Sequence, residues 1–197
     1  MVKRLACLFF MIKNFFNFVF ELIKVVVISL IIILPIRYFL IQPFYVKGAS
    51  MEPNFYDHEY LIIDEISYRF NEPKRGDIMV FRYPRNPQEY FIKRIIGLPE
   101  ERIQIKQGKI YIYNRNYPDG LELAEPYLNN GGQTYSLNEN IISLAKDEYY
   151  VLGDNRGSSK DSRSFGPVDR SFIIGRVLLR GWPFDRINLF ESTEYSY

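Results

Sequence analysis

The sequence predicts a mainly β domain behind one N-terminal transmembrane helix. Three observations predict it. The first 43 of the 197 residues hold five basic side chains against one acidic, around an unbroken apolar run. Beyond Pro43 the apolar residues recur with period two in short runs. Pro and Gly punctuate those runs, and between 44 and 197 only Leu137–Lys146 reads as a helix, of one or two turns.

The head comes first. Val25–Ile36 carries no charge over 12 residues, and with Phe18–Ile23 and Tyr38–Ile41 it becomes long enough for a hydrocarbon core of ~30 Å. Lys24 and Arg37 then lie towards its ends, where long stems snorkel. Residues 18–41 are therefore read as the anchor. Residues 1–17 are read as a basic, aromatic segment at the cytoplasmic interface, and 42–197 as an exported domain. Four basic residues precede the apolar core, which keeps the N-terminus in the cytoplasm in a single-pass topology. A cleaved signal peptide is the alternative, with Lys47-Gly48-Ala49 as a poor cleavage site. The apolar region is too long for it and begins late.

In the body, strands are expected at Leu61–Asp64, Asp77–Tyr83, Tyr90–Ile96, Arg102–Ile105, Lys109–Tyr113, Tyr149–Leu152 and Phe172–Leu179. Gln107-Gly108 reads as a hairpin turn. Together they imply an antiparallel barrel or sheet system. A variable region is expected at about 114–146. Within it Asn114–Gln133 is polar and Gly/Asn-rich, a surface loop with Asn129–Gly132 at its tip.

Composition removes several classes. One cysteine, Cys7, and one histidine, His58, exclude an intrachain disulfide and a Cys- or His-based metal cluster. Residues 44–197 hold 20 basic and 22 acidic side chains, no footprint for nucleic acid. No nucleotide-binding glycine motif and no G-x-S-x-G elbow occurs. Ser143-Leu-Ala-Lys146 matches S-x-x-K without that motif's companions, and Arg75-Gly-Asp77 reads as a turn that launches a strand.

Five segments stand in order behind the anchor: Gly48-Ala-Ser-Met-Glu-Pro53, Arg75-Gly-Asp-Ile-Met-Val-Phe81, Tyr90-Phe-Ile-Lys-Arg-Ile-Ile-Gly-Leu-Pro99, Gly153-Asp-Asn-Arg-Gly-Ser-Ser-Lys-Asp-Ser-Arg163 and Arg180-Gly-Trp-Pro-Phe-Asp-Arg186. With them the chain resembles the type I signal peptidases of bacteria from about residue 20 to about 187.

The residues make physical sense of that resemblance. Ser50 lies just past the membrane exit, and a serine hydroxyl needs a base beside it. His58 sits in the polar turn Tyr56-Asp-His-Glu-Tyr60 and reads as a solvated loop residue. Lys93 lies inside an apolar run, sharing a strand face with Phe91 and Ile95. Burial there disfavours its charged form and would lower its pKa by roughly two to three units, against the alternative of an ordinary strand lysine with its head in water. The motif set decides between the two. The resemblance implies that Ser50 is the nucleophile and Lys93 the general base of a serine endopeptidase that uses no metal or cofactor. It also implies that Ser159 orients Lys93, that Asp161 and Arg163 pair to brace the site, and that Asp154 and Arg156 structure the same loop.

The implied substrates are signal peptides of exported preproteins, cut after a small-x-small motif. Phe44, Val46, Phe55 and Ile92 are the candidates for the substrate pocket. An extended substrate would add to a sheet edge. The implied setting is the inner (cytoplasmic) membrane of a bacterium, with the bilayer as a partner and the chain as a monomer. Phe39, Trp182 and Phe184 are candidates to rest in the interface. Two features depart from many members of that family. Gly48 stands where many have a serine that serves the oxyanion, and Lys47 places a charge beside the groove. Two alternatives remain at this point: a membrane-tethered, non-catalytic β domain that binds a partner, and a self-cleaving Ser/Lys regulator of the soluble, DNA-linked kind.

Overall fold

The computed structural model describes residues 2–39, 41–128 and 132–190. They fall into two compact units, 1–41 and 42–197.

The first unit is a single helix, α1 (Val2–Phe39). Its stretch Lys13–Leu34, 22 residues long, is predominantly apolar and is not covered by protein. At 1.5 Å per residue that is about 33 Å, enough to cross a hydrocarbon core. Phe15, Phe18, Ile23, Val25, Ile31 and Leu34 all stand exposed. Val25–Leu34 is apolar on every face, and such a surface needs an apolar solvent.

Twelve strands follow among the described residues: β1 (Ile41–Tyr45), β2 (Tyr60–Asp64), β3 (Ile78–Tyr83), β4 (Asn86–Gly97), β5 (Arg102–Lys106), β6 (Lys109–Tyr113), β7 (Leu121–Glu122), β8 (Ile142–Ser143), β9 (Glu148–Leu152), β10 (Val168–Asp169), β11 (Ile173–Trp182) and β12 (Asn188–Leu189). Two short helices, α2 (Ser67–Phe70) and α3 (Ser162–Phe165), interrupt them. The main sheet runs β1-β2-β11-β3-β4-β9-β10, with β12 also on β11. A smaller sheet runs β7-β6-β5-β8. Period-two patterning shows directly in burial: β2, β5 and β6 each alternate between buried and partly covered residues. The β5–β6 turn, Gln107-Gly108, has φ of 51° and 79°, the left-handed pair that a two-residue hairpin requires.

No barrel closes. The main sheet ends at β1 on one side and β10 on the other. β4 pairs β3 from Asn86 to Arg94 but meets β9 only from Arg94 onward. The Asn86–Lys93 half of β4 therefore has an unpaired edge among the described residues. Phe44 on β1 and Tyr90 on β4 meet edge to face, their ring centroids 5.6 Å apart. The two open edges thus line opposite walls of one groove.

Two local expectations change. Leu137–Lys146 forms no helix; it holds β8 and irregular chain, because its Ile142 pairs with Ile103 of β5. Asn114–Gln133 is more than a surface loop: it contributes β7, and Leu123 and Leu128 are buried. The tip residues 129–131 lie outside the described residues.

Candidate active site

The nucleophile candidate sits in a turn that the core holds from below. Gly48 has φ of 86°, a left-handed conformation that strains any residue with a Cβ, and its N–H donates to Asp57 Oδ1 at 2.9 Å. Met51 and Phe55 then enter the core completely, and Phe55 N–H closes onto Met51 O at 2.9 Å. Ser50 is left on the groove side.

Lys93 reaches it from β4. Its Nζ is hydrogen-bonded to Ser50 Oγ at 2.7 Å and to the carbonyl of Ile92 at 2.8 Å. Lys93 is only 3% exposed, and the Phe91 ring centroid lies 5.4 Å from Nζ. Burial pushes its pKa down to about 8, against the opposing pull of the Asp161 and Asp154 carboxylates. An amine near half-neutral at pH 8, within hydrogen-bond reach of a hydroxyl, is a competent general base for it.

The loop after β9 clamps the Ser50 turn. Asn155 donates its backbone N–H to Ser50 O and its side-chain amide to Ala49 O, both at 3.0 Å. Two adjacent carbonyls of the nucleophile turn are thus fixed by one residue. Asp161 and Arg163 form a two-pronged ion pair at 2.8 Å, with Asp161 fully buried. Asp161 also accepts from Gly153 N–H at 3.1 Å and caps α3. Asp154 pairs with Arg94, bidentate at 2.8 and 2.7 Å. Arg94 faces away from the groove, as alternation from Lys93 requires, and so joins β4 to the loop from behind.

The groove holds about 520 Å³ and is lined by Phe44, Val46, Ile92, Ser50 and Lys93, with Lys47, Glu89 and Lys160 contributing charge. Of the sequence candidates for the substrate pocket, Phe44, Val46 and Ile92 line this groove. Phe55 does not: it is fully buried against Phe190, ring centroids 4.6 Å apart, and lines no part of the groove. Ser159 also differs from expectation. Among the described residues its Oγ is buried without a hydrogen-bond partner and makes no bond to Lys93. His58 is solvated, paired with Asp57 at 3.0 Å with its side chain 73% exposed. Ser143 on β8 and Lys146 in the turn before β9 are both exposed. Arg75 is buried in a bidentate pair with Glu101, so the Arg-Gly-Asp tripeptide is structural.

Sequence reading missed Asn155 and Arg94 as supports. The signal for Asn155 was its place in the Gly153-Asp-Asn turn; nothing local pointed to the carbonyls it reaches, about a hundred residues away in sequence. It also missed Glu59, buried beneath the turn and paired with Arg180 at 3.2 Å and Arg186 at 3.1 Å.

The chain is similar to known proteins over most of its length. Residues 19–182 match the signal peptidase, peptidase S26, family. The chain is 38% identical over 174 residues to a signal peptidase I from Leptolyngbya laminosa, covering 85% of this chain and 81% of that one. It is 32% identical to signal peptidase IB of Staphylococcus aureus over 179 residues, covering 83% and 90%. A crystal structure of a signal peptidase I from Enterococcus faecalis shares 32% identity, with a TM-score of 0.44 over 54% of this chain and 97% of the other. With the family match spanning most of its length, this chain belongs to the signal peptidase family, peptidase S26.

Proposed function

We propose that Ser50 and Lys93 form the Ser/Lys dyad of a signal peptidase that cuts exported preproteins after a small-x-small motif. The observation that carries the reading is the 2.7 Å contact between a serine hydroxyl in an open groove and a lysine amine buried in its wall. Neutral Lys93 takes the Ser50 proton as Oγ attacks the scissile carbonyl. The Ser50 backbone N–H is the donor we assign to the oxyanion. Protonated Lys93 then donates to the leaving amine, and water, deprotonated by Lys93, releases the acyl group.

The substrate lies extended between the open edges of β1 and β4, read by main-chain hydrogen bonds as an added strand. Shallow apolar surfaces at Phe44, Val46 and Ile92 exclude large side chains at −1 and −3. Residues 18–41 anchor the chain in the inner membrane, with 1–17 on the cytoplasmic side and 42–197 outside as a monomer. The exposed Trp182 and Phe184 rest in the interface.

The test is cleavage of a preprotein with a small-x-small signal peptide by the full chain in detergent. Wild type should cut after the small residue, and folded Ser50→Ala and Lys93→Ala should be inactive. A Lys93→Ala enzyme as fast as wild type would remove Lys93 as base.

A further inference from the structure

The region after β7 departs from its expected role as a surface loop. Its segment Glu125–Tyr127 touches each of the three pieces of the site. Glu125 pairs with Arg156 through both carboxylate oxygens, at 2.6 and 3.0 Å, with side-chain exposures of only 11% and 5%. Arg156 in turn donates from Nε to Gly153 O at 3.0 Å and from Nη1 to the buried Thr134 hydroxyl. The carbonyl of Tyr127 accepts from Asn54 Nδ2 at 3.1 Å, and that same amide donates to Asp154 at 2.8 Å. The Tyr127 ring lies 3.9 Å from the guanidinium carbon of Arg94, the neighbour of Lys93 on β4. Its hydroxyl donates to Glu125 at 2.6 Å, which locks the segment to itself.

The nucleophile turn, the base strand and the loop between them are thus joined outside the groove by one short segment. We propose that Glu125 and Tyr127 are positioning residues for peptide cleavage, setting the register between Ser50, Lys93 and the Gly153–Arg163 loop without touching substrate. This rests on the Ser50/Lys93 reading. Glu125 fixes Arg156 and hence Gly153. Tyr127 fixes Asn54 and Arg94. None of these lines the groove, so loss of the segment affects the chemical step and leaves substrate binding intact.

The experiment measures kcat and KM of the full chain in detergent on a small-x-small peptide, below the unfolding transition of every variant as followed by circular dichroism. Glu125→Ala should lower kcat by about ten- to a hundredfold, as an ångström-scale misplacement does, with KM within twofold. Glu125→Gln keeps volume and reach, and decides the matter should Glu125→Ala not fold: its kcat should fall severalfold at unchanged KM. Tyr127→Phe keeps the ring over Arg94 and should stay closer to wild type than Tyr127→Ala. Wild-type kcat in folded Glu125→Gln and Glu125→Ala, or a loss confined to KM, would overturn the proposal. Ser50→Ala in the same assay separates the two readings: if it is inactive while the Glu125 variants are unaffected, only the positioning role falls, and if it cuts, the dyad falls with it.

Discussion

Gly153 packs so tightly on the Ser50 turn that a Cβ built on it would lie 2.4 Å from the Ser50 carbonyl oxygen. The same atom would lie 2.1 Å from Ser159 Oγ. The loop after β9 can approach Ser50 this closely only because this position has no side chain.

Gly153→Ala should therefore push the loop away from Ser50 and disturb the Asn155 clamp on it. The expected outcome is a loss of kcat of about a hundredfold with a folded protein. Steady-state kinetics beside circular dichroism check it. A variant with wild-type kcat would mean that the loop yields without moving Ser50.

Activity should follow the neutral form of Lys93. With its pKa pushed down to about 8 by burial, kcat/KM should rise with pH through about 8 as one ionisation and level off above it. A profile from pH 6 to 10 measures it. A limb near 10 would mean that water reaches Lys93 in the working enzyme.

Lys93→Met should abolish cleavage and stabilise the fold. The ordinary lysine value of 10.5 falls to about 8 in the folded chain. Between those values the unfolded state holds more protons, so wild-type stability rises with pH across that window, and below about 8 the folded state bears the full penalty. That penalty is about 3 kcal/mol. The methionine variant should gain up to that amount at pH 7 and lose its advantage towards pH 10.5. Denaturant unfolding at the two pH values reads it.

Asp154→Ala should leave the Arg94 guanidinium buried without its carboxylate. The side chains of this pair are 5% and 0% exposed. Removing one partner of such a pair costs about 3–5 kcal/mol. The shift in the unfolding midpoint of the full chain in detergent measures it, and Asp119→Ala, on an exposed turn, provides the comparison.

Much was legible in the chain itself. The strands expected at Leu61–Asp64, Lys109–Tyr113 and Tyr149–Leu152 are observed within a residue at each end, because each buries one face and period-two patterning records that directly. Lys93 was legible too, as a charge set between Phe91 and Ile95. Ser159 and Phe55 were not. Whether a hydroxyl finds a partner, or a ring turns to the groove or the core, depends on ångström-scale placement of segments far apart in sequence. The same holds for Glu125, whose surroundings are polar and loop-like and whose partner lies 31 residues away.

The sequence by itself determined an apolar helix and a mainly antiparallel β domain, since hydrophobic period is a property of neighbours. Only the tertiary structure decided that the sheet stays open between β1 and β4. It alone brought Ser50 to 2.7 Å from Lys93 across 43 positions, and it chose Arg94 for Asp154 and Arg156 for Glu125. Those outcomes follow from which buried charges find partners when the core closes, and a buried charge is stable only where a partner arrives from elsewhere in the chain.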